Sequence, residues 1–178
     1  MVAFAIVVAL VAVERVAELI VSRRNAAWSF ARGGRETGQG HYPVMVVLHT
    51  GFLVAMLIEA FVRRPDVSPT LAWSMVLVVI AAQGLRWWCI ATLGPRWNTR
   101  VIVVPDLPPV RSGPYRFLSH PNYVAVVLEG VALPLMHACW MTALAFTVAN
   151  AALLTVRLRV ENRALRELPS LAPRPADA

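Results

Sequence analysis

The segment TLAWSMVLVVIAAQGLRWWCIATL, residues 70–93, carries a single charge, Arg86, in an otherwise apolar run. In lipid a chain satisfies its backbone polar groups only as a helix or a closed barrel, and a helix needs about 20 apolar residues to cross. Residues 2–21, 43–62, 121–136 and 140–157 read in the same way. The expected fold is therefore all-α: an integral membrane bundle of about five transmembrane helices. Composition agrees, because 58% of the 178 residues are hydrophobic and 15% charged, far too apolar for a soluble domain of this length. The link between the last two segments is short and uncharged, which predicts a tight helical hairpin. The first of the pair spans about 24 Å at 1.5 Å per residue, less than a 30 Å hydrocarbon core. The first segment continues through Glu14, Arg15 and Glu18 with no basic region before it, so it reads as a retained helix and not a signal peptide.

All 17 basic residues are arginines. Thirteen of them fall between segments one and two, between three and four, or after five, and the opposite side has only Arg63 and Arg64. The positive-inside rule then puts the N-terminus outside and both long loops and the C-terminus in the cytoplasm, and the arginine-only composition suggests a bacterial inner membrane. Arginines placed between apolar segments fit topology and exclude a nucleic-acid surface. Cys89 and Cys139 lie within apolar segments without metal-ligand spacing, so they read as buried bystanders and no metal site is expected. Residues 22–42 read as a polar loop, and residues 94–114 as a proline-rich one with an extended piece at VIVVPD. Residues 1–168 form one membrane domain, and PSLAPRPADA, 169–178, reads as a disordered tail.

Glu14, Arg15, Glu18, Arg86 and Glu129 fall at similar depth in the inner half of the bilayer, with Gln83, Asn122 and Asn150 nearby. Charges at such depth face a bundle interior or a cavity. Pairing of Glu14 or Glu18 with Arg15 of their own helix is awkward on this reading, leaving Arg86 as partner for one of them or for Glu129. A purely structural ion pair and a polar cavity open to the cytoplasm both explain the layer. Glu59, near the other end of its helix, reads as reaching the interface.

Two further clusters carry chemistry. GPYRFLSHPNYVAVVLEG, residues 113–130, puts Pro121 in the first turn of the fourth helix and sets Tyr115, Arg116, His120, Asn122, Tyr123 and Glu129 within fifteen residues. The helix start, with free N–H groups and the positive end of the dipole, suits an anionic group. RLRVENRALREL, residues 157–168, reads either as a solvated helix end with Arg157 paired to Glu161 or as part of a site. The hairpin brings Glu161 back toward His120, so the clusters should meet.

These two motifs together resemble the isoprenylcysteine carboxyl methyltransferase family, with its Gly-x-Tyr, Arg-His-Pro-x-Tyr and terminal Glu-Glu-x-x-Leu pattern. RVAELIVSRRN, HYPVMVVLH and LGPRWNTRVIVVPD are similar to its small bacterial branch of alkylpyrone and alkylresorcinol O-methyltransferases, so the resemblance covers nearly the whole chain. Ser119 stands where the family usually has arginine, and Asn162 where it has the second glutamate. The resemblance implies S-adenosylmethionine bound by about residues 94–168, through Tyr115, His120, Pro121, Asn122, Tyr123 and Glu161. Arg116, one turn from Ser119, is the candidate for the missing cation, and Glu129, Arg86 and Arg116 are the candidate catalytic residues. A pyrone enol or a prenylcysteine carboxylate arrives largely ionised and needs no strong base. A resorcinol, with a pKa near 10, does, and Glu129 or Glu14 are candidates for it. The implied partners are a lipophilic small molecule and membrane lipid. The alternatives are an isoprenylcysteine carboxyl methyltransferase and, from another class, a small transporter or scaffold using the charged layer as an ion path.

Overall fold

The structure is a computed structural model that describes residues 1–105 and 107–171, with side chains described as far as residue 166. Five helices follow in order: α1 (Val2–Phe30), α2 (His41–Arg63), α3 (Pro69–Leu93), α4 (Pro121–Leu135) and α5 (Trp140–Leu171). The chain is an all-α integral membrane bundle whose last two helices form a hairpin. Three of the helices, α2, α3 and α5, are each long and apolar enough to cross a membrane. The α4 helix has 15 residues, about 22 Å, so it reaches only part of the way across. The hairpin turn takes Ala138 into the left-handed region at φ 50°. The tail expected from residue 169 lies, from 172 onward, outside the described residues.

The sequence reading ends α1 at residue 21, whereas the helix runs to Phe30. Hydropathy falls there, but Ser22, Ala26 and Ser29 form a narrow buried stripe at helical spacing. The loop after α3 packs on this stripe. The amide of Asn25 donates to the carbonyls of Trp97 at 2.7 Å and Gly94 at 3.2 Å, and Ser22 Oγ accepts from the Thr99 backbone N–H at 3.0 Å.

The loops form a two-stranded antiparallel ribbon. β1 (Arg35–Thr37) pairs with β2 (Val101–Val103), with Glu36 opposite Ile102. Val101 and Val103 point to one side, as alternation in a strand requires, and bury themselves with Ala164 of α5. The VIVV piece is thus extended, and it ties both long loops to the end of α5.

At the opposite end of the bundle the core is closed and apolar. Phe4, Val8 and Val11 of α1 meet Phe52 and Met56 of α2 and Leu133 of α4. Phe52 stacks on Phe146 of α5 with centroids 4.0 Å apart. Gly130 lets α4 approach that ring, since a Cβ there would lie 2.5 Å from Phe146 Cε1. Glu59 is not left exposed at its helix end. It is buried and accepts from the Thr142 N–H and hydroxyl, each at 2.7 Å, and from the Met141 N–H at 3.1 Å. These are the otherwise free donors at the start of α5, so a carboxylate from α2 caps a neighbouring helix.

Candidate active site

Toward the loop-rich end the helices separate around a layer of charge. Arg86 of α3 donates to Glu129 of α4, and its Nε lies 3.6 Å from Glu18 of α1. Arg15 lies 2.8 Å from Glu18, 3.3 Å from Glu14 and 3.5 Å from Glu129. Pairing of Arg15 within its own helix is therefore present, contrary to the sequence expectation. The long guanidinium folds back along one turn to Glu18, three residues on, a spacing that faces along a helix. Glu14 also accepts from Gln83 and from Trp87 Nε1 at 2.7 Å. Arg86 is only 4% exposed, and two carboxylates compensate its burial.

Pro121 occupies the first position of α4, where its missing N–H costs nothing, and His120 is the residue before it. This start stacks the His120 ring on that of Tyr123, with centroids 5.4 Å apart and 12° between planes. The returning α5 meets them. His120 Nδ1 lies 3.5 Å from Glu161 Oε1, its Nε2 lies 3.2 Å from Asn162 Oδ1, and the Tyr123 hydroxyl donates to Glu161. Both ring nitrogens thus face acceptors, which favours the doubly protonated imidazolium. The Glu161 hydrogen bond accordingly holds His120 above its ordinary pKa, although burial opposes it.

Arg157 does not pair with Glu161 as the solvated-end reading expects. It is 7% exposed and gives its Nε to the Tyr123 hydroxyl at 2.8 Å and its Nη2 to the Thr99 carbonyl at 2.7 Å. Among the described residues it makes no ion pair, so it is a buried cation held by neutral acceptors.

These groups line a cleft of about 130 Å³, open to the surrounding solvent, between the ribbon and the α4–α5 pair. Arg96, Arg100 and Tyr115 complete its polar wall. Burial keeps the Tyr115 phenol well above its ordinary pKa, so it serves as a neutral donor or packing surface. A second cavity, of about 160 Å³, lies deeper between the helices. Leu19, Val46, Leu53, Val126, Leu153 and Leu154 give it apolar walls, and Arg15, Glu18, His49, Arg86 and Asn150 give it a polar end. Trp97, Asn98, Asn122, Tyr123 and Arg157 line both spaces. Asn98 Nδ2, Asn122 Oδ1 and Asn150 Oδ1 are buried without a hydrogen-bond partner among the described residues. Each such atom costs about 1–3 kcal/mol.

Of the residues singled out in the sequence, Tyr115, His120, Asn122, Tyr123 and Glu161 come together at the cleft, with Pro121 buried behind them. Arg86 lines the second cavity, while Glu129 lines a smaller neighbouring space beside Gly130 and Phe146. Arg116 is apart from both. It is exposed, with its guanidinium 5.9 Å from the Phe117 ring, and the cations facing the cleft are Arg96, Arg100 and Arg157. Sequence reasoning did not single out Asn98 and His49, and it left Arg157 open between a solvated pair with Glu161 and part of a site. The available signal was the placement of His49 inside an apolar span and of Arg157 one turn from Glu161 on the same face.

A model of the isoprenylcysteine carboxyl methyltransferase family matches residues 75–167, from the second turn of α3 through the cleft into the last turns of α5. The uncharacterized protein YpbQ of Bacillus subtilis is 35% identical over 165 residues, which are 92% of this chain and 97% of the relative. An uncharacterized protein of Haemophilus influenzae is 24% identical over 151 residues, 84% of this chain and 87% of its own length. No solved structure matches the chain.

Proposed function

The chain belongs to the isoprenylcysteine carboxyl methyltransferase family of membrane methyltransferases, and on that premise we propose that it transfers a methyl group from S-adenosylmethionine to an oxygen of a lipophilic acceptor such as an alkylpyrone. The observation that carries this reading is the shared wall. A polar cleft open to solvent and an apolar cavity between helices meet at Asn98, Asn122, Tyr123 and Arg157, as a water-soluble donor and a lipid-borne acceptor require.

The cleft residues fit the donor. Glu161 offers a carboxylate to its ammonium or ribose hydroxyls, and protonated His120 with Arg96 or Arg100 offers charge to its carboxylate. Tyr115 and Tyr123 offer ring faces to the adenine. This methyltransferase domain would span residues 1–168, with about 94–168 holding the donor. When bound, S-adenosylmethionine supplies an electrophilic methyl carbon. The protein then has to align the acceptor oxygen, exclude water and manage charge. The apolar walls of the deeper cavity orient the acceptor tail, and buried Arg157 stabilises negative charge on the acceptor oxygen.

The arginine distribution supports an orientation with the N-terminus outside and the cleft facing the cytoplasm of a bacterial inner membrane. A carboxylate acceptor, as in a prenylcysteine, is the second reading. Arg157 favours it, being a buried cation with no carboxylate partner among the described residues.

Purified protein in detergent, given S-adenosylmethionine labelled in the methyl group, is to be tested against alkylpyrone, alkylresorcinol and prenylcysteine acceptors. Label in the ether of the first two supports the proposal, and label only in a methyl ester moves it to the second reading. Loss of label in Arg157→Met, with S-adenosylhomocysteine still bound, would place Arg157 with the acceptor. No label in any acceptor contradicts the reading.

A further inference from the structure

The deeper cavity holds a basic atom that the proposed mechanism leaves unused. His49 of α2 lines both this cavity and the smaller space beside Glu129. Its Nδ1 lies 2.9 Å from the Met45 carbonyl oxygen. A carbonyl only accepts, so Nδ1 carries the hydrogen and, in the neutral ring, Nε2 presents its lone pair. The edge-on contact with Phe146, at 5.3 Å between centroids, holds the ring plane. Nε2 has no hydrogen-bond partner among the described residues, nor is it among their sealed, unpartnered atoms.

The carboxylates around it are already committed. Glu18 and Glu129 are engaged by Arg15 and Arg86, and Glu14 by Arg15, Gln83 and Trp87. The charged groups facing the His49 region are thus Arg15 and Glu18 from α1, Arg86 from α3, Glu129 from α4 and Arg157 from α5. None of these groups is placed to donate to Nε2 in the described structure, so it is left facing the cavity.

We propose that His49 Nε2 receives the proton of an acceptor that arrives protonated, a phenol on an apolar tail, and so makes phenolic lipids the substrate class of this site. The assignment rests on the methyltransferase reading above. As the O–H bond breaks, its electron pair stays on oxygen and its proton goes to Nε2. An oxygen lone pair forms the new bond to the donor's methyl carbon, whose bond to sulfur breaks with the pair leaving on sulfur. The imidazolium then returns its proton to water. A carboxylate acceptor would bring no proton and would leave Nε2 without a partner.

The test compares wild type with His49→Gln, which keeps a polar side chain of similar reach but cannot take up a proton. With no donor present, titration of a 5-alkylresorcinol should give binding about tenfold weaker in the variant, the loss of about one hydrogen bond, while S-adenosylhomocysteine binds both equally. With donor present, turnover of the resorcinol should fall about 10²–10⁴-fold. In the wild type kcat/KM should rise with pH through the imidazole range, and in the variant only toward the phenol's own pKa near 10. Equal binding, equal turnover and the same pH profile in the two proteins would overturn the assignment of His49 alone. A wild type that binds S-adenosylhomocysteine yet methylates only carboxylates would overturn the substrate class with the family reading intact. If the variant does not fold, the wild-type profile decides, since a rise only near pH 10 would exclude the imidazole.

Discussion

His120 links the two motifs, because a ring with an acceptor beside each nitrogen is most stable when doubly protonated. Its pKa is raised above the ordinary value near 6.5 by the Glu161 carboxylate. The pair's contribution to stability is therefore complete below about pH 6.5 and is lost as pH rises through the higher folded-state value. Thermal unfolding of wild type between about pH 6 and pH 9 should show that loss, and His120→Gln should flatten it; parallel curves would contradict the pairing. The meeting of His120 and Glu161 was legible in the sequence, because the helical hairpin returns one to the other. The place of Arg157 was not. A charged residue one turn from a glutamate reads as a surface pair or as part of a site, and only the packing of β2 and Tyr123 over it buries the guanidinium.

At the scale of elements, the helices themselves were plain from hydropathy, since each is fixed by the need to satisfy backbone groups in lipid. The last nine residues of α1 were not, because their helical face is a stripe of small residues that meets a loop instead of lipid. Glu59 was not legible as a cap for a related reason. Its place near a helix end suggested an interfacial charge, and nothing local to α2 reveals that α5 begins beside it. Its capping role predicts that Glu59→Ala leaves the Met141 and Thr142 donors unsatisfied and costs about 1–3 kcal/mol. The expected result is a lower midpoint of thermal unfolding in detergent with unchanged affinity for S-adenosylhomocysteine, since the cap lies at the end of the bundle opposite the cleft. An unchanged midpoint would remove Glu59 from the account of how α2 and α5 are held.

Across the whole molecule, an apolar core lies at one end, a charged layer in the middle and two adjoining spaces at the other. The layer ties α1, α3 and α4 together through Arg15, Glu18, Arg86 and Glu129. Arg86→Met alone strands two buried carboxylates and should destabilise the fold by about 3–5 kcal/mol, while adding Glu129→Leu should restore part of that loss; equal unfolding midpoints for wild type and Arg86→Met would deny the layer a structural role. The sequence placed these charges at one depth, but not their partners, which depend on how the helices rotate against each other. The central claim is that the cleft between the ribbon and the α4–α5 pair holds the methyl donor, with Glu161 as an anchor. Isothermal titration of detergent-purified protein with S-adenosylhomocysteine, repeated on Glu161→Ala, tests it directly. The account predicts binding to the wild type and affinity about 100-fold weaker in the folded variant, the loss of charge-assisted hydrogen bonds. Equal binding by both proteins, or none by a folded wild type, would contradict it.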